Sequence, residues 1–195
     1  MQLGGCGGCV ALPARRADET LARSMDGEHA RRWDAAQEGA ELLREGEAAA
    51  AVAELERVVT EDPANEYALY FLGQALFERG ELARALKAYT RALEVAPGYL
   101  GALVGVGHVL RLLGRNDEAI RAGRAALERA PRDPDALYLL GLTHMGRGDS
   151  DAARRYFTEF LTTRPEAELA LEVEGLLQTL GGQVVPIKPE PGNVN

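Results

Sequence analysis

Cysteine is almost missing from this chain of 195 residues: only Cys6 and Cys9 occur, both within the first ten positions. No disulfide framework therefore holds the remainder together. Lysine is as scarce, at Lys87 and Lys188, so arginine carries nearly all of the positive charge. No apolar run approaches the roughly 18 residues a membrane-spanning helix requires. Basic residues number 22 against 30 acidic, for a net charge of −8. That balance excludes a general nucleic-acid binder, which needs a basic surface to displace counterions from phosphate. Serine–histidine–acid sets, glycine-rich phosphate loops and clustered metal ligands are also lacking. His29, His108 and His144 stand far apart. Neither enzyme chemistry nor a cofactor is expected.

What the chain does have is a period. Glycine recurs every 34 residues at Gly39, Gly73, Gly107, Gly141 and Gly175. A second glycine series runs Gly46, Gly80, Gly114, Gly148, Gly182, and a proline series runs Pro63, Pro97, Pro131, Pro165. In the central unit, Glu66 to Tyr99, the residues Leu69, Leu72, Gly73 and Leu76 fall at i, i+3, i+4, i+7, one face of a helix. Gly80 stops that helix, Leu82 to Leu93 repeats the pattern, and Pro97 ends the second helix. Each unit is thus helix, tight turn, helix, turn. Small residues such as Gly73, Ala85 and Ala92 lie where the two helices approach most closely. One such hairpin cannot bury its apolar face alone and must stack on copies of itself.

These positions carry a resemblance to the tetratricopeptide repeat (TPR) family. Leu69, Leu72, Gly73, Leu76, Ala85, Tyr89, Ala92 and Pro97 occupy the signature positions in the second unit. Leu103, Val106, Gly107, Leu110, Ala119, Ala126 and Pro131 do so in the third, and Leu137, Leu140, Gly141, Ala153, Phe157 and Pro165 in the fourth. The fourth departs at His144 and Phe160, and the first at Glu38. The resemblance implies an all-α, right-handed superhelical α-solenoid. Four repeats are expected at 32–65, 66–99, 100–133 and 134–167, with a capping helix at 168–181, the whole array spanning 29–182. Leu169, Val173, Leu176, Leu177 and Leu180 form the cap's apolar stripe, a candidate self-association face. Residues 1–28 are expected to be a flexible segment with a short helix at 18–26, and residues 183–195 a disordered tail.

Positions 2, 5, 9, 12 and 13 of each first helix share a further face. In the TPR family this face lines a concave groove that binds peptides. Here it carries Trp33, Tyr67, Tyr70, Gln74, Phe77, Val104, His108, Arg111, Tyr138, Leu142 and Met145, an unusually apolar and aromatic set. The competing reading is that these side chains only fill contacts between repeats. The family's clamp for chain-terminal carboxylates, built on lysine and asparagine, is not supplied by Ala36, Ala40, Tyr70, Gln74, Val104 and His108. The expectation is a non-catalytic scaffold or adaptor. Its partner is a protein or peptide with an apolar or aromatic segment, not nucleic acid or a small-molecule substrate. His144 is expected in the core. Charge is uneven: the first unit is strongly acidic, while the third carries six arginines against four acids.

Leu3-Gly4-Gly5-Cys6 resembles the end of a bacterial lipoprotein signal and marks Cys6 as a candidate lipidation site. Only Met1 and Gln2 precede it, where a signal would have a basic stretch and roughly 7–15 apolar residues. With a start codon upstream, the protein is expected in the periplasm or at the outer membrane, in secretion, pilus or envelope assembly. As the chain stands, it reads as a cytoplasmic adaptor. A thiol redox or metal role for Cys6 and Cys9 is the third reading, and it lacks a scaffold or further ligands.

Overall fold

The computed structural model describes residues 14–181, and these form nine α-helices and no strands. The helices are α1 (Ala14–Arg44), α2 (Ala48–Glu61), α3 (Glu66–Glu78), α4 (Leu82–Val95), α5 (Leu100–Leu112), α6 (Asn116–Arg129), α7 (Pro134–Gly146), α8 (Ser150–Thr162) and α9 (Ala167–Thr179). Successive pairs α1–α2, α3–α4, α5–α6 and α7–α8 pack as hairpins. The second helix of each hairpin packs on the first helix of the next. First helices also meet one another, α1 on α3, α3 on α5 and α5 on α7, so they line a common face. The fold is an all-α helical repeat solenoid.

The turns explain themselves from the sequence. At the end of α3 the backbone N–H of Gly80 bonds the Phe77 carbonyl at 2.9 Å, and Glu81 N–H bonds the Leu76 carbonyl at 2.8 Å. This paired closure needs a left-handed residue, and Gly80 supplies it at φ 75°. Gly46, Gly114 and Gly148 take the same conformation. Helix starts are capped where the sequence allows. The Asn65 side chain accepts from Ala68 N–H at 2.9 Å and donates to the Arg32 carbonyl at 2.9 Å, tying α3 to α1. Arg32 adds a 2.9 Å contact to Asp62.

The other glycine series marks close approach, but its partners differ by unit. A Cβ at Gly39, Gly73 or Gly141 would strike Leu55, Tyr89 or Phe157 of the same hairpin's second helix. In the third unit that large residue is replaced by Gly123. Leu139 and Leu140 of α7 enter the space instead, and a Cβ at Gly107 would lie 2.2 Å from Leu139 Cδ2. A Cβ at Gly175 would touch nothing within 4 Å. At Gly175 the series therefore marks no helix contact: α9 is the last helix described, and no second helix follows it among the described residues.

The cap is also out of phase. Helix α8 stops at Thr162, and Arg164 takes φ 60°, where the earlier units keep an extended residue before proline. Helix α9 therefore begins at Ala167, one residue ahead of the 34-residue register. Its left-handed end residue is Gly181, not Gly182, which lies outside the described residues. Val173 and Leu177 are buried on the fourth hairpin, with Leu169, Leu176 and Leu180 packed beside them. Leu169, Leu176 and Leu180 of the stripe stay only half-buried, and Leu171, outside the stripe, is 69% exposed. At the other end α1 is helical from Ala14, within the stretch expected to be flexible up to residue 28. Cys6, Cys9 and the 183–195 tail lie outside the described residues. No helix among those described is long and apolar enough to cross a membrane.

Candidate partner-binding groove

The face shared by α1, α3 and α5 contains two adjoining hollows. The first is a cleft of ≈ 300 Å³ between α3 and α5, lined by Tyr70, Gln74, Phe77, Glu78, Tyr89, Gly101, Val104, Gly105, His108 and Asp135. The second, of ≈ 240 Å³, lies between α1 and α3 and is lined by Trp33, Gln37, Ala40, Leu43, Arg44, Phe71 and Gln74. Gln74 stands on the ridge between them.

Aromatic rings build this wall. Trp33 is 45% exposed and meets Tyr67 edge-on at 5.3 Å and Phe71 at 5.9 Å. Tyr70 continues the chain, 5.1 Å from Phe71 and 5.0 Å from Tyr99. Such edge and tilted pairs hold one another in fixed orientations. The glycines of α5 let the rings approach: a Cβ at Gly101 would lie 2.8 Å from Tyr70 Cε2, and one at Gly105 2.6 Å from Tyr89 Cζ. The glycine-rich run LGALVGVG was the signal for Tyr89 and Gly105, which the repeat positions alone miss. Phe71, also missed, belongs to the same wall.

Of the expected groove residues, Tyr70, Gln74, Phe77, Val104 and His108 come together in the cleft. Trp33 sits in the adjoining hollow, and Tyr67 bridges Trp33 and Tyr99. Val104 is only 7% exposed and packs with Ala126, Ala136 and Leu139, so it forms floor and not contact surface. Tyr138, Leu142 and Met145 are not in the cleft. They pack against the cluster of Phe157, Phe160, Val173 and Leu177. The Tyr138 hydroxyl donates to Glu172 Oε1 of α9 at 2.8 Å. The capping helix thus uses the positions that in the inner units remain available.

The electrostatics of the cleft are set by burial. His108 is held at a pKa of about 4, by desolvation first and by the Arg111 charge second, so it is neutral at neutral pH. Burial, then Asp135, raises the Tyr70 hydroxyl. The Asp135 carboxyl is itself raised by desolvation and by Asp133. His144 is buried in the fourth hairpin, where Nδ1 faces Asp149 at 3.0 Å and the ring stacks on Tyr156 at 5.4 Å. Among the described residues no group of three His, Cys, Asp or Glu is placed to hold a metal ion.

Tetratricopeptide repeat profiles match the sequence over residues 42–105, 106–168 and 138–184. The chain belongs to the tetratricopeptide repeat family. Solved structures agree on the fold. A thermophilic TPR protein of Thermus thermophilus superposes with a TM-score of 0.70 at 22% identity, over 77% of this chain and 83% of that one. PilF of Pseudomonas aeruginosa gives 0.67 at 24% identity, over 76% and 68%. A MamA structure gives 0.59 at 25% identity, over 84% and 88%. No curated protein sequence matches the chain. TPR arrays generally mediate protein–protein interaction, which makes this protein an interaction scaffold of a fold that is typically non-catalytic.

Proposed function

We propose that this TPR protein is a non-catalytic adaptor that holds an apolar or aromatic peptide segment of a partner protein in the α3–α5 cleft. The observation that carries the reading is the cleft itself. It is a hollow of ≈ 300 Å³ walled by Tyr70 and Phe77, on a face that stacking of the repeats does not need to leave open. Packed aromatic walls beside a concave apolar space are what peptide anchors use in groove recognition. Gln74 offers the test, because it stands on the ridge and its side chain is held only by a hydrogen bond to Glu78 at 3.3 Å among the described residues. A photo-crosslinking residue at position 74 is expected to capture a partner in the native cell. The same group at Lys87, exposed on α4, serves as the control. Equal capture at both positions contradicts the groove.

The Leu3-Gly4-Gly5-Cys6 motif supports a second, separable proposal, attachment to the bacterial envelope through Cys6. Metabolic labelling with a palmitate analogue, applied to the protein expressed from its own locus, checks it. Label that disappears in Cys6→Ser is expected; an unlabelled protein contradicts it.

A further inference from the structure

The α3–α5 cleft carries a carboxylate at each end and no base in its lining. At one end stands Glu78, the last residue of α3, and at the other Asp135, in the first turn of α7. Between them the walls are Tyr70, Phe77 and Tyr89 over the Val104 floor, with His108 neutral. The adjoining hollow has one base in its lining, Arg44, and this pairs with Glu41 at 3.7 Å.

Neither end carboxylate meets a counter-charge among the described residues. Glu78 accepts a hydrogen bond from Gln74 Nε2 at 3.3 Å, while the neighbouring Arg79 pairs with Glu81 at 2.6 Å. Around Asp135, Arg132 donates to Thr162 Oγ1, and Arg147 and Arg154 pair with Asp117 and Asp151. Arg111 stands close to His108 but outside the lining of the cleft, and makes no ion pair with Glu78 among the described residues. The cleft tyrosines register the sign of the field. Burial raises both hydroxyls, and negative charge raises them further, Asp135 acting on Tyr70, and Tyr70 and Glu78 on Tyr89; no base lowers either.

A cleft with apolar walls and charge of one sign focuses its field on whatever enters. An acidic segment is repelled at both ends. A neutral apolar segment fills the middle and leaves both carboxylates unanswered. Basic side chains answer them: the aliphatic stem of a lysine or arginine lies along the rings while its head reaches the carboxylate, and the faces of tyrosine and phenylalanine attract the same cation. An apolar middle between two acidic ends is therefore complementary to an anchor between two bases.

We infer that the peptide this cleft takes is basic: an apolar or aromatic anchor with a lysine or arginine on each side, one for Glu78 and one for Asp135. The inference rests on the reading that this groove binds peptides. The test is selection of a phage-displayed random-peptide library on the full chain. Wild-type protein is expected to enrich an apolar or aromatic residue between two basic ones. Selection on Glu78→Gln is expected to keep the anchor and lose the base on one side, and selection on Asp135→Asn to lose the base on the other. The double variant is expected to keep the anchor alone. A synthetic peptide of the wild-type pattern is expected to bind each single variant about threefold, and the double variant about tenfold, more weakly. The control removes the same charge from exposed positions outside the cleft, Glu128→Gln with Glu159→Gln on α6 and α8, and is expected to leave the selected pattern unchanged.

Glu78 and Asp135 are exposed and the changes are isosteric; circular dichroism verifies each fold, and the single variants carry the test if the double one is perturbed. Anchors enriched with uncharged or acidic flanks overturn the inference and leave the groove reading standing. So does a basic preference that survives the double variant, or one that the control removes equally, since it then answers the net charge of −8 and not the cleft. Enriched peptides indifferent to the groove-filling variant Gln74→Trp, or none enriched at all, overturn both.

Discussion

Adding one methyl group at Gly141 and at Gly175 should move stability in opposite directions, although both residues lie on the same 34-residue series. A Cβ at Gly141 would sit 2.4 Å from Cε1 and 2.5 Å from Cδ1 of Phe157, a ring with 0% exposure. The ring cannot retreat without displacing the core around Leu137 and Val173. Such overpacking costs about 1–3 kcal/mol. Gly→Ala inside a helix returns about 1 kcal/mol of propensity. The net expectation for Gly141→Ala is a loss of up to about 2 kcal/mol, or a Tm lower by up to roughly 8 °C. At Gly175 nothing lies within 4 Å, so only the propensity remains and Gly175→Ala should gain about 0.5–1 kcal/mol. Urea unfolding followed by far-ultraviolet circular dichroism measures both. Shifts of the same sign in the two variants would refute the assignment of one glycine to close helix contact and the other to open surface.

Asn65 both caps α3 and bonds back to the Arg32 carbonyl while fully buried, so Asn65→Ala should lose about 1–3 kcal/mol, read by the same denaturation. His108 has a folded pKa of about 4 against an ordinary 6.5, so the unfolded chain binds that proton first as pH falls. Its contribution to stability is present above about 6.5 and is lost as pH drops toward about 4, then levels off. His108→Gln should remove that part of the pH dependence of unfolding, and NMR titration should find the His108 imidazole neutral at about pH 6.

The hairpins were legible because their determinants are local. A left-handed glycine, a helix-ending proline and a 3.6-residue apolar pattern act within a few residues of themselves. The one-residue slip before α9 was not legible, since Pro165 stands on its series and only the backbone of Arg164 departs from it. The groove was half legible. Repeat position gathered Tyr70, Gln74, Phe77 and His108, and the structure places these four around one cleft. It could not tell that Tyr138, Leu142 and Met145 would be drawn against the cap, because the same positions serve packing or openness according to the neighbour. Nor does position show that Gly123 empties a site that Leu139 and Leu140 of the next repeat then fill.

The most direct measurement of the central claim is the affinity of a peptide selected on the full chain, compared between wild-type protein and Gln74→Trp by fluorescence anisotropy. The indole would project from the ridge into the groove. At least about tenfold weaker binding to Gln74→Trp is expected, about 1.4 kcal/mol, with an unchanged melting curve. Equal affinity for the two proteins would contradict it.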